Sequence, residues 1–420
     1  MTMACTAVLA QEVDDEPVMP TKDPFHLVGG SLSFGFAQVS QHSEFEAYGP
    51  SLEFGLAGTL GTFADVPVNL EWAGYYGRAT SHTSNTEIQG SDPLVYASGT
   101  SPVGSIDLST FGDGAGVTST GTVQIIDSTG DTASIFSTAF SPNALTAEVS
   151  QFALSQTDSG GAFTALTTNG QTGLGSAYGV IFDDTGFLVL GTGDNSTTAV
   201  TTSVDEKITA AHHTLFLSTV LEMNGQWTVA PRLGPTFRDL GRTTTSRTFI
   251  DLNEGSDLAA TLPDILLAEK RTLKTEHYGA ILGADFTRRV RENWLFSLGA
   301  EAGLTKFSAR SSHSNTVSIA GTNAEIPGAT VRRNGTSGVA KITADLTHLS
   351  KNGTIVTLGA FVDFLMDAPF MAVQTAGQPA LTVSGSNIGL TGNGETYQTF
   401  SIEQKDMVSA GISLSIVRLF

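Results

Sequence analysis

The sequence predicts an all-β fold: a transmembrane antiparallel β-barrel of about ten strands, within a range of roughly eight to fourteen. Three observations carry this. Segments of ten or more residues repeatedly alternate apolar with small or polar side chains, the period of a strand with one greasy face. The connections between them are alternately short and long. There is no run of about 18 apolar residues, so no helix is expected to cross a membrane. Mean hydropathy is +0.06, as many short alternating strands would give.

The last stretch shows the pattern most clearly. From Lys405 to Phe420 one face carries Val408, Ala410, Ile412, Leu414, Ile416 and Phe420, and the other carries Ser409, Gly411, Ser413 and Ser415. A closing barrel strand faces lipid on alternate residues and sets an aromatic at the interface. An ordinary sandwich edge strand is the plainer reading of this segment alone.

The other elements follow in chain order. Residues 1–10 read as a signal-peptide remnant, with Val8 and Ala10 at the offsets a signal peptidase needs; a lipoprotein through Cys5 is the weaker reading. Residues 11–24 are acidic and proline-bearing, a periplasmic lead-in. The barrel is assigned to 25–420. Leu32, Phe34 and Phe36 mark a first strand, and Gly49-Pro50 punctuates the loop after it. Phe54 and Leu56 belong to a second strand, Leu70, Trp72 and Tyr76 to a third. A polar insertion at about 78–210 follows, in which Val123 to Ile126 and Val180 to Gly191 read as short hairpins. Strand four covers about Ala211 to Glu222, opened by His212-His213, and Asn224-Gly225 signals a tight turn. Strand five contains Pro231 and Pro235, which donate nothing to a ladder. A helical turn is expected near Asp257 to Lys270. Strands six to nine centre on Leu282, Leu298, Ile342 and Leu358, with Asn352-Gly353 turning between the last two.

By parity the inward face carries Glu53, Glu71, Arg232, Arg238, Asp285, Glu301, Lys341, Asp345 and Asp363, candidates to line a pore. The competing reading is a closed interior held by ion pairs. Trp227, Phe286, Trp294 and Phe420 fall on the apolar face near short turns or the C-terminus, where a membrane-interface belt belongs. A net charge of -20 argues against nucleic acid. No phosphate loop, dinucleotide fingerprint, cofactor or metal site is found; Asp183-Asp184 reads as a solvated turn before a Ca²⁺ ligand pair.

The alternation and the terminal Phe420 resemble the C-terminal assembly signature of bacterial outer-membrane β-barrel proteins. The layout is similar to the pore-forming major-outer-membrane-protein type, although the insertion at 78–210 departs from it. The resemblance implies a Gram-negative outer-membrane location. It implies lipid and lipopolysaccharide around the barrel, and the barrel-assembly machinery on the last strand. It also implies passive passage of small solutes or ions without enzymatic activity, and it leaves a homo-oligomer open. Separately, His82-Thr83-Ser84-Asn85 resembles the His-x-Ser-Asn motif of outer-membrane lipid hydrolases, in which a His activates a Ser. A similar string, Ser312-His313-Ser314-Asn315, points to loop composition instead. A structural or adhesive role for the long loop is the remaining alternative.

Overall fold

The computed structural model describes 26–41, 45–63, 66–90, 195–223, 227–251, 264–319, 322–326, 328, 330–350, 354–375 and 398–418, together with short strands within 94–193 and 380–392. Ten long strands form the barrel. They are β1 (His26–Gln41), β2 (Phe45–Phe63), β3 (Val66–Gly90), β4 (Asn195–Thr219), β5 (Trp227–Asp251), β6 (Ile265–Arg291), β7 (Trp294–Ile319), β8 (Thr330–Leu349), β9 (Thr354–Thr375) and β10 (Gln398–Arg418). Each pairs antiparallel with its neighbours in sequence. The ring closes where β10 meets β1, from Ser33 opposite Ser415 to Gln41 opposite Met407. No edge is left unpaired around the ring, which hydrocarbon demands.

The side chains sort as the alternation predicts. Leu282 is 67% exposed and Leu304 74%, with Phe34, Leu233, Leu358, Ile412, Leu414 and Ile416 also turned outward. Buried neighbours one residue away, such as Ser33, Ile281, Thr305, Thr357 and Ser415, face the lumen. On β7 the outward apolar run extends from Trp294 to Leu304, about 25 Å at the usual rise and tilt, one hydrocarbon thickness. Above it the outward residues turn polar: Lys306, Ser308, Arg310 and Ser312.

Both rims of this belt are aromatic. At the short-turn end Trp294 lies 4.7 Å from the His348 ring, and the Arg288 guanidinium 5.3 Å over Trp227. Phe286 is exposed on the same side; Phe420 lies outside the described residues. At the other end Tyr48, Tyr76 and Tyr278 are exposed. Tyr48 donates to Glu46 at 2.5 Å and Tyr278 to Glu276 at 2.9 Å, each Glu two residues further from the membrane. The sequence reading named Trp227, Phe286 and Trp294 and did not pick out these three tyrosines.

Several boundaries differ from expectation. β3 continues to Gly90 and β4 begins at Asn195, so the insertion starts later and ends earlier than 78–210. Gly49 and Pro50 lie within β2 and do not end it; Gly49 faces inward hard against the Arg78 backbone, where no Cβ fits. Ile265 to Lys270 is strand, overturning the expected helical turn for those residues. His212 and His213 sit within β4 rather than at its start. Pro235 is accommodated because β4–β5 pairing is interrupted between Thr214/Thr236 and Leu217/Leu233, and Pro231 because it lies past the last β4–β5 pair, Ser218/Arg232. Asn224-Gly225, Asn352-Gly353, Asp183-Asp184 and the N-terminal 25 residues lie outside the described residues.

The insertion carries β structure of its own. Ser176–Phe182 and Gly186–Gly193 form the antiparallel hairpin expected around Val180 to Gly191. Gly104–Phe111 pairs with Asn387–Gly392, joining the insertion to the loop between β9 and β10.

Candidate functional site

All nine predicted inward charges face the lumen, and most meet a partner there. Arg232 Nη1 lies 2.6 Å from Asp285 and its Nη2 2.6 Å from Glu301. Arg238 donates to both carboxylate oxygens of Asp363, at 3.1 and 2.9 Å. Lys341 lies 3.7 Å from Glu53, and Ser218 donates to Glu71. Arg232 and Asp285 come from adjacent strands, whereas two of the pairs join strands far apart in sequence, Arg238 with Asp363 and Lys341 with Glu53. Arg238 on β5 reaches Asp363 on β9 across 125 residues. Only barrel closure brings them together.

Aromatic and apolar groups occupy the remaining space. Tyr75 stacks on His212 at 4.7 Å, and Phe361 meets Tyr75 edge-on at 5.9 Å. Phe216, Ile281, Val339, Leu365 and Ala368 pack as one buried cluster. Nearer the short turns Leu295 and Ile355 pack with Leu349 and Val417. Among the charges a cavity of about 40 Å³ remains, lined by Glu53, Glu71, Arg232, Arg238, Glu301 and Lys341. That holds about three waters. His212 and His213, being adjacent in a strand, point to opposite faces: His212 inward onto Tyr75, His213 outward against Trp72 at 5.9 Å.

Above the belt the lumen widens. A cavity of about 410 Å³ lies between β4–β6 on one side and β9–β10 on the other. Its residues carried no signal in the sequence, because nothing before closure places Arg242 near Phe370.

A second constellation sits on the outer wall. His82 and Ser84 share the exposed face of β3, above the belt. Opposite His82 on β4 is Asp205, whose carboxylate lies 2.7 Å from His82 Nδ1. Arg247 on β5 donates to the other Asp205 oxygen at 2.8 Å. The His82 hydrogen bond, with the Arg247 charge, holds this solvent-facing carboxyl below its ordinary range. The sequence offered no partner for His82; the strand register supplies one. His313 of the similar string points inward instead, 3.2 Å from Glu269 and stacked on Phe400.

No family model matches the chain, and no curated protein matches it. Among solved structures it is similar to the outer-membrane protease OmpT of Escherichia coli, at 9% identity and a TM-score of 0.31, covering 97% of this chain and 100% of that one. It is also similar to the toluene transporter TodX of P. putida (7%, TM-score 0.16, 99% and 92% covered). A third is OccK8 (OprE) of Pseudomonas aeruginosa (8%, TM-score 0.12, 94% and 98% covered). These scores add nothing to the hydrogen-bonded ring and its apolar belt, which make the chain a ten-strand transmembrane β-barrel.

Proposed function

We propose that the chain is a bacterial outer-membrane barrel closed across the bilayer, serving the cell surface through its extracellular half. One observation carries this reading. At the level of the belt, ion pairs, stacked rings and packed apolar groups fill the lumen among the described residues, and the cavity among the charges there measures about 40 Å³. Ten strands enclose a lumen that side chains largely fill. The refolded chain in a planar bilayer is expected to give no discrete conductance steps. Reproducible steps from a heat-modifiable, folded barrel would return the reading to porin-like passage of small solutes or ions past Arg232 and Lys341.

The Asp205 contact favours a second reading, lipid hydrolysis on the outer wall. An acid that holds a histidine lets the other ring nitrogen take a proton from a nearby hydroxyl. Here Asp205 would orient His82, and Ser84, two residues along the same face, would be the nucleophile toward the ester of a lipid that reaches above the apolar belt. This reading expects phospholipid vesicles to be cleaved by the native barrel and left intact by Ser84→Ala. An inert native barrel, or equal cleavage by the variant, ends it.

A further inference from the structure

We propose that the outer wall of β6, β7 and β8, just above the belt, binds a lipid headgroup that carries two phosphate groups. This rests on the outer-membrane placement proposed above and does not depend on the lumen being closed. The observation is a row of like charges set by the strand register. Lys274 on β6 stands directly opposite Arg310 on β7, and Arg310 directly opposite Arg332 on β8. All three are exposed on the outward face. Their backbone positions span about 10 Å, two strand spacings.

Like charges directly opposite each other in a sheet repel. Among the described residues none of the three forms an ion pair, and the same holds for Lys270 and Lys306 on the same wall. Above the belt, the outward positions of β7 and β8 carry no carboxylate, and those of β6 carry only Glu276. Glu276 accepts the Tyr278 hydroxyl at 2.9 Å and lies in the next row down, opposite Asp239 and Ser308. Glu325 stands opposite Thr316, six residues beyond Arg310, and Asp406 on β10 accepts the Asp367 backbone N–H at 3.0 Å. In a chain with a net charge of -20, such a row of cations is a place for an anion from outside.

The height of the row selects the anion. Lys306 is opposite Tyr278 at the upper rim of the belt. Lys274 lies four residues further out than Tyr278 on the same strand, about 10 Å at the usual rise and tilt. The polar headgroup layer begins at that rim and is about 5–8 Å thick. Lys306 lies within it, and the side chains of Lys274, Arg310 and Arg332 are long enough to reach down into it. Arginine grips phosphate through paired N–H donors, and a basic cluster beside a membrane draws anionic lipid. A phosphate monoester carries about -1.5 to -2 charges, so one leaves the row positive and two neutralise it.

The test uses the full chain folded in a non-ionic detergent, with diphosphoryl lipid A, monophosphoryl lipid A and phosphatidylcholine as probes. Native mass spectrometry counts the bound lipid. One diphosphoryl lipid per barrel is expected to be retained, at least about tenfold more tightly than either of the others. The triple variant Lys274→Gln/Arg310→Gln/Arg332→Gln should lose that preference while keeping its heat-modifiable mobility. Arg78→Gln/Lys207→Gln, which removes exposed cations of β3 and β4 that stand opposite threonines, should keep it. Stability supplies a second readout. Without lipid the triple variant should unfold at higher urea than the native barrel, because the repulsion is gone. Diphosphoryl lipid should raise the native midpoint and leave that of the variant unchanged. Equal retention by the native barrel and the triple variant, equal retention of either other lipid, or an equal rise from inorganic phosphate alone overturns the proposal. Membrane fractionation tests the placement separately: an outer-membrane chain whose triple variant binds as the native one does keeps that placement and loses this site.

Discussion

Replacing Arg232 with Ala is expected to destabilise the barrel by about 3–5 kcal/mol, the cost of stripping one partner from a buried ion pair. Arg232 answers two carboxylates at once, Asp285 and Glu301, both at 2.6 Å and all three side chains almost wholly buried. Its guanidinium also lies 4.8 Å over the Phe216 ring, so the arginine closes the lumen by bulk as well as by charge. Without it, two carboxylates remain beside Glu71, and the other cations on that cavity wall, Arg238 and Lys341, are already paired with Asp363 and Glu53. Urea unfolding of the lipid-embedded barrel measures the loss, and conductance in the same preparation detects any opening. Arg232→Lys should recover part of the stability, since it keeps the charge and gives up the forked contact. A loss below about 1 kcal/mol would mean that water already solvates these charges, as in an open pore.

Placing a charge on the middle of the belt should have a comparable effect by a different route. Leu282 lies midway between Tyr278 and Phe286 on the outward face of β6 and is 67% exposed. Leu282→Arg is expected to cost about 2–4 kcal/mol in a bilayer, the penalty for arginine at the midplane of a barrel wall. Ser308→Arg, outward on β7 but above the belt, should change stability by less than about 0.5 kcal/mol. Both are read from urea unfolding in lipid vesicles. If Leu282→Arg is as harmless as Ser308→Arg, the apolar belt does not face lipid.

What could be read before the structure, and what could not, divides at the belt. Within it, lipid on one side and packed lumen on the other force strict alternation. The face of Leu282, Leu298 and Ile412, and the inward side of all nine charges, were therefore legible. Above it, both outer wall and surroundings are aqueous, and alternation fades. Past Tyr76, β3 continues outward as Arg78, Thr80, His82, Ser84 and Thr86, a polar series that looks like loop. That is why the insertion was expected to begin near 78. The pairings were illegible for another reason. Glu53 with Lys341, or His82 with Asp205 across 123 residues, depend on which strands are neighbours and in what register. The hydrophobic pattern fixes only which way each side chain points. The vestibule is the extreme case, since its residues come from five strands.

The strands are far longer than a bilayer requires. β6 has 27 residues, where about ten suffice to cross. At the usual rise and tilt it measures on the order of 65 Å along the axis, against about 25 Å of belt. Most of the barrel is thus a tower standing clear of the lipid, with the paired strands of the insertion carried on its top. On the proposed outer-membrane placement, such a tower is conspicuous on an intact cell. An antibody or a bulky thiol reagent meets Ser308 or Thr272, replaced by cysteine, well above the headgroups, while Leu298 in the belt stays hidden until the membrane is dissolved.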